Sequence, residues 1–273
     1  MDQVSKKIEM IRKNILNLRK IFTSYAIDGY IIPKNDAYFS EYSSPDRLKT
    51  ISNFSGSTGY AIILKSKNFL FVDGRYTLQA KKQSGKYFKI FEIPKKSPKK
   101  LFHKKTKKII LGFDPQLFTN FSIKKMFNSN VSLKAIDDNL IDKIYKDKKK
   151  KFIYKFYNLS AQITGENMHS KINRLIKTLQ KQNIHNIFIS APENVAWLLN
   201  LRGKDNPNSP IPNCKLILTE YKKIFFFSCP KKISKIKKND DYKNFNFCTY
   251  KEFDQIINNL NGQNFCIDKT TCS

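Results

Sequence analysis

Apolar side chains recur at Val4, Ile8, Ile11, Ile15, Leu18 and Phe22, in steps of three and four that place them on one face of a helix over 4–25. Asp28-Gly29 ends that pattern, and Tyr30-Ile31-Ile32 opens a first strand. Residues 33–42 are polar and turn-rich, and a short helix is expected over 45–53 with Pro45 in its first turn. Two apolar runs, 58–64 and 68–72, predict paired strands around a Lys65-Ser66-Lys67 turn. The second run leads into Asp73-Gly74-Arg75-Tyr76 and a helix ending near Ser84-Gly85. The Asp73 carboxylate is expected to accept the free N–H groups of that helix's first turn. Gly74 is expected to let the chain turn without a Cβ penalty. Strands follow over 87–93, 109–114 and 131–136, the last closing a first domain over 1–145. Between them, 94–108 reads as a Lys-rich loop or short polar helix, and Ser122 opens a short helix to Asn128.

A charge run over 146–151 marks a solvated linker. A second domain, 152–273, restarts with a helix over 166–182 whose apolar face is Ile172, Leu175, Ile176 and Leu179. A strand over 186–190, a helix over 192–199 opened by Pro192 and an ordered loop over 206–212 come next. A hairpin then turns at Glu220-Tyr221, and a strand over 245–249, a helix to Leu260 and a strand over 265–268 finish the chain. No internal sequence repeat is visible. Alternating strands and helices make the class α/β.

Four stretches share an order with a known family. They are Ser44-Pro45-Asp46-Arg47-Leu48, the segment from Asn53 through Gly56-Ser57-Thr58-Gly59, the run Phe71-Val72-Asp73-Gly74-Arg75-Tyr76-Thr77-Leu78-Gln79-Ala80, and Val195-Ala196-Trp197-Leu198-Leu199-Asn200-Leu201-Arg202-Gly203-Lys204-Asp205. The chain resembles the Xaa-Pro aminopeptidases (aminopeptidase P), in the two creatinase N-terminal-like domains that precede the catalytic one. The resemblance implies two ribonuclease H-like α/β domains with mixed sheets flanked by helices, the second truncated near Asp268. It covers nearly all of the chain but only the non-catalytic part of the family. The family's activity, removal of the N-terminal residue from Xaa-Pro peptides, resides in a third domain that holds two divalent metals, usually manganese. None of the family's metal motifs matches this sequence, so the chain is expected to carry no cofactor and to be inactive alone.

The same resemblance makes Arg75, Tyr76, Trp197, Arg202 and Asp205 the candidates for substrate binding. Each also has a structural reading. Arg75 is expected to satisfy carboxylates or carbonyls within its own domain, Trp197 to be a core aromatic, and Arg202 to fix its loop through carbonyls or Asp205. Gly56 and Gly59 read as a hairpin turn, because no Lys-Ser/Thr follows to make a phosphate cradle. The loop after Arg202-Gly203 is Asn206-Pro207-Asn208-Ser209-Pro210, without the His or basic residue the family often carries there.

Composition changes this picture little. The formal net charge of +29 raises nucleic acid as a partner. However, only six of the 51 basic residues are arginine, the side chain that bidentate phosphate and base recognition favours, and the lysines are spread along the whole chain. The three histidines, His103, His169 and His185, fall in surface positions. Five cysteines form no CxxC pair or zinc spacing and read as buried thiols. No apolar run approaches the ~18 residues of a membrane span, and the first residues have no apolar signal core. A cytoplasmic setting is expected. The partners expected are a second copy in a homodimer or a separately encoded catalytic chain, with peptide bound only where a catalytic domain is present. A stand-alone assembly module and a basic nucleic-acid-binding protein are the alternative readings.

Overall fold

In the computed structural model, the N-terminal amphipathic pattern forms α1 (Gln3–Lys20), and Ile11, Ile15 and Leu18 are buried from it, followed by Phe22. The structure describes residues 3–42, 44–102, 108–145 and 153–273, and the side chains of all of these except 3–8. Val4, Ile8, His103 and the Lys-rich run of 146–151 therefore lie outside the described side chains or residues. The chain divides into two units, 1–149 and 150–272.

The first unit continues with β1 (Gly29–Pro33), α2 (Arg47–Ser52), β2 (Gly59–Leu64), β3 (Asn68–Asp73), α3 (Thr77–Ser84) and β4 (Lys89–Ile93). It ends with α4 (Pro98–Phe102), β5 (Ile109–Phe113), α5 (Asn120–Met126), β6 (Val131–Ala135) and α6 (Leu140–Ile144). The strands form one sheet in the order β4-β3-β2-β1-β5-β6. β2 is antiparallel to both β1 and β3, and every other pair is parallel. Five strands thus end at the same edge of the sheet, and β2 begins there.

Both faces of this sheet are covered, which is why its strands read as unbroken apolar runs. Tyr30, Ile32, Ala61, Ile63, Leu70 and Val72 meet the α1, α2 and α6 side. Ile31, Ile62, Phe69, Phe71 and Phe91 meet Phe102 of α4 and Ile123 of α5 on the other. Successive residues alternate between the two cores, as the period of two requires.

The second unit contains β7 (Tyr157–Asn158), α7 (Ala161–Thr164), α8 (Met168–Lys181), β8 (Asn186–Ile189), α9 (Pro192–Leu198) and β9 (Leu201–Arg202). It continues through β10 (Lys215–Thr219), β11 (Ile224–Phe227), α10 (Pro230–Ile233), β12 (Phe245–Cys248), α11 (Phe253–Asn259) and β13 (Phe265–Ile267). A mixed sheet runs β12-β11-β10-β8-β13, and β7 pairs with β9 apart from it. One face packs on α8, α9 and α10 through Leu216, Leu218 and Phe226. The other packs Phe188, Ile217, Phe225 and Phe227 against α11.

Several local expectations are corrected. The first short helix starts at Arg47, because the Asp46 side chain accepts the Lys49 N–H and so acts as its cap. Ser122 does not open α5; Thr119 does, with Ser122 as the third-position member of a capping box. Residues 53–58 are not a hairpin turn but the approach from α2 to β2. Gly56 lies against the Phe54 ring, where a Cβ would stand 2.2 Å from a ring carbon. Gly59 has φ +153°, and its Cβ would stand 2.6 Å from the Phe71 carbonyl oxygen. β6 does not close the unit, since α6 follows and buries Leu140 and Ile141. Of the cysteines, Cys214 and Cys248 are buried but Cys229, Cys266 and Cys272 only partly so, and among the described residues there is no disulfide.

Candidate functional site

The sequence motifs of the first unit converge on the carboxyl edge of its sheet. Open α/β sheets bind ligands outside the carboxyl ends of their strands. At the end of β3 the Asp73 carboxylate accepts the Arg75 backbone N–H at 3.0 Å and Arg75 Nε at 2.8 Å. The turn it caps is a short 3-10 helix, Gly74–Tyr76. Gly74 is not needed for a left-handed backbone there; a Cβ at that position would meet Glu92 Oε1 at 3.1 Å. The Arg75 hydrogen bonds hold the Asp73 carboxyl below the usual carboxylate range, and Asp73 in turn raises the guanidinium. The Arg75 side chain is nevertheless 71% exposed. It satisfies a carboxylate of its own unit, but only the one two residues away.

Tyr76 ties two motifs together. Its hydroxyl lies 2.9 Å from Ser57 Oγ, and its ring meets Phe54 edge-on at 5.9 Å. Beside it, Gln83 Oε1 accepts the Ser55 N–H, while Gln79 and Gln83 amides both donate to Ser55 Oγ. Leu78, two residues after Tyr76, is 79% exposed. Along the same edge, Lys34 pairs with Asp46, and Arg47 makes a two-pronged contact with Asp142 at 3.0 and 2.6 Å. The buried Asp36 carboxylate accepts the Tyr38 and Ser40 N–H groups, and burial pushes its pKa up against those bonds.

In the second unit the motif Trp197 to Asp205 spans the end of α9, β9 and the following loop. Pro192 starts α9, which buries Val195, Ala196 and Leu198. Trp197 is not the core aromatic the sequence suggested. Its neighbours in the helix take the inward positions, leaving it 56% exposed. Lys171 from α8 reaches it: Nζ donates to the Trp197 carbonyl at 2.8 Å and to Asn200 Oδ1 at 2.7 Å, and stands 4.5 Å from the indole centroid. Burial pushes the Lys171 pKa down, Glu166 opposes this, and Arg202 and Arg174 add to it.

Arg202 Nη1 donates to the Leu201 carbonyl at 2.7 Å and the Ala196 carbonyl at 3.3 Å. It fixes its loop through carbonyls, as expected. Asp205 pairs instead with Lys232 of α10 and accepts the Asn213 N–H at 2.6 Å, and its side chain is only 5% exposed. Lys171 and Lys232 lie outside the sequence motifs, and Asn200 lies inside one without being a candidate there. The one available signal was Lys171 itself, a cation beside Ile172 on the apolar stripe of α8.

His185 Nδ1 accepts the Asn264 N–H at 3.0 Å, and His169 Nε2 lies 3.6 Å from Asp241. Among the described residues no three His, Cys, Asp or Glu side chains converge as a metal would require. No helix of the described residues is long and apolar enough to cross a membrane.

Comparison with known proteins places these motifs in context. Two family models, both described as creatinase/prolidase N-terminal domain, match residues 15–144 and 147–273. A probable Xaa-Pro aminopeptidase P of Aspergillus fumigatus is 33% identical over 221 residues, 77% of this chain and 34% of that protein. The corresponding protein of Ajellomyces dermatitidis is 32% identical over 218 residues, 76% of this chain and 35% of the relative. The chain thus spans about a third of the length of these curated relatives. Among solved structures, the X-prolyl aminopeptidase of Caenorhabditis elegans, described as a cytosolic enzyme with a di-nuclear active site, superposes with a TM-score of 0.83. It is 25% identical, and the match covers 91% of this chain and 44% of that one.

Proposed function

Because this chain belongs to the creatinase/prolidase N-terminal domain family, we propose that it is the N-terminal, non-catalytic portion of an aminopeptidase P-like metallopeptidase. The longer protein removes the N-terminal residue from peptides with proline in second position. The observation that carries this reading is the matching of two consecutive family domains along one chain, with a single enzyme structure superposing on 91% of it.

In this reading the hydrolytic metals, two divalent ions such as manganese, sit in a further domain. The donors described in this chain do not fit such a pair: His169 turns to Asp241 and His185 to Asn264, with no third ligand converging. Arg75 and Tyr76 of the first unit, and Trp197 of the second, are each exposed or partly exposed and are the side chains this reading assigns to peptide contact. Arg202 and Asp205 serve Trp197 indirectly, by holding the segment that follows it in the second unit. The protein acts in the cytoplasm, and its partners are the peptide and a second copy of the longer protein.

The test is a peptidase assay on the 273-residue chain with Xaa-Pro peptides, with and without manganese. No release of the N-terminal residue is expected. Manganese-dependent release proportional to the concentration of this chain would overturn the non-catalytic assignment.

A further inference from the structure

α8 carries a cation where its inward stripe is otherwise apolar. Met168, Ile172, Ile176 and Leu179 are buried, and Lys171 is buried with them at 4% exposure. A buried ammonium is costly unless its protons are matched. Those of Lys171 meet the Trp197 carbonyl and Asn200 Oδ1, and the indole face of Trp197 lies beside them. A cation at a helix C-terminus also meets carbonyls that have no partner within the helix. The Trp197 carbonyl sits in the last turn of α9, where it accepts the Asn200 N–H at a long 3.4 Å, and the 2.8 Å bond from Lys171 adds a charged donor to that helix end from outside it.

Asn200 supplies the second half of the device. Its backbone is left-handed, with φ +53°, a conformation that stops a helix and that Asn tolerates better than most residues. Its side-chain amide donates to the Glu166 carbonyl at 2.9 Å, which aims Oδ1 at the ammonium. Glu166 is itself held by Arg174 through both carboxylate oxygens. The last turn of α9 is thus gripped by groups from the start of α8 and the segment before it.

We propose that Lys171 is the positioning residue of the 197–202 segment, clamping the end of α9 so that the Trp197 indole stands outward as a fixed platform. Its bearing on function rests on the reading above, in which Trp197 faces peptide. The Lys171 ammonium, 4.5 Å from the indole centroid, is attracted to the ring face, and that attraction favours one orientation of the indole over the others. Fixing an aromatic surface in advance lowers the ordering cost of binding on it.

Trp197 is the single tryptophan of the chain, so its fluorescence reads this site alone. In Lys171→Met, measured well below the melting temperature, steady-state anisotropy of Trp197 is expected to fall by about a third or more and the near-ultraviolet circular dichroism of the indole to weaken. Lys171→Arg is expected to restore most of both. A lysine that merely stabilised the fold would lower the melting temperature without loosening the indole in the folded protein. Folded Lys171→Met with unchanged anisotropy therefore overturns the proposal. Should Lys171→Met fail to fold, Asn200→Gly decides: it suits the left-handed backbone but removes Oδ1 and the Glu166 link. Reduced anisotropy there supports the clamp, and unchanged anisotropy overturns it. No substrate enters these readings, so failure of the clamp and failure of the peptidase assignment are told apart.

Discussion

Two of the candidate residues, Arg75 and Asp205, show why burial decides what a charge is worth. Arg75 and Asp73 make a well-formed pair, yet the arginine side chain is 71% exposed and the contact spans two residues of one turn. Exposed pairs of this kind contribute little, because water screens them and long side chains lose entropy in making them. Arg75→Lys is therefore expected to leave the unfolding temperature unchanged, against the sequence expectation that this guanidinium anchors its unit. A clear drop in the thermal midpoint would restore the anchoring role. Asp205 is the opposite case, 5% exposed and bonded to a Lys232 that is 17% exposed. Removing one partner leaves the other charge buried without its match. Asp205→Ala is expected to lose roughly 3–5 kcal/mol, the usual range for breaking a buried pair. Urea unfolding measures this, and a loss under about 1 kcal/mol would show that Lys232 finds another route to water.

At the scale of elements, the two sheets differ in how their strands are flanked. β2 and β3 are hydrogen-bonded on both sides, β2 between β1 and β3, and β3 between β2 and β4. β13 has three residues and, among the described residues, pairs with β8 alone, and its Ile267 is 51% exposed. An edge strand leaves one row of backbone groups to solvent and opens without disturbing a neighbour. Amide exchange is expected to be slower at 60–63 and 69–72 than at 265–267, by at least tenfold at neutral pH. Equal rates in the two regions would mean that β13 is held by more than β8. Such exchange data also test whether α11, packed through Phe253 and Ile256, covers this edge as firmly as α1 covers the first sheet.

For the molecule as a whole, the +29 charge is the feature most open to misreading. A polyanion site gathers unpaired arginines and lysines on one surface. Here five of the six arginines are engaged within the chain. Arg19 bonds the Leu64 carbonyl and Asn68, Arg47 holds Asp142, Arg75 holds Asp73, Arg174 holds Glu166, and Arg202 holds two carbonyls. Those five guanidiniums are matched by acceptors of the chain itself, Arg75 and Arg174 at the surface, and most of the excess charge is carried by lysines. Charge composition alone thus gives no reason to add a nucleic-acid function to the family assignment.

The order of elements was legible without coordinates because each carries its own local signal. Paired apolar runs at 58–64 and 68–72 became β2 and β3, Pro192 did open α9, and the stripe Ile172, Ile176, Leu179 did face a core. The family motifs were legible for the same reason, being contiguous stretches whose residue order survives unfolding. The short α6 and the two-residue pair β7 and β9 were not, since so few residues show no period. Nor were the partners of the candidate residues. Trp197 faces solvent because Val195, Ala196 and Leu198 occupy the inward positions of a helix only seven residues long. Asp205 chooses Lys232, twenty-seven residues away, over nearby Arg202, whose guanidinium turns to carbonyls. Lys171 reaches Trp197 and Asn200 across 26 and 29 residues. Sequence determines which side chains carry charge and where helices and strands begin. Which charges meet is settled only when packing brings distant elements together, because a buried ion takes whichever partner the fold delivers within hydrogen-bond reach.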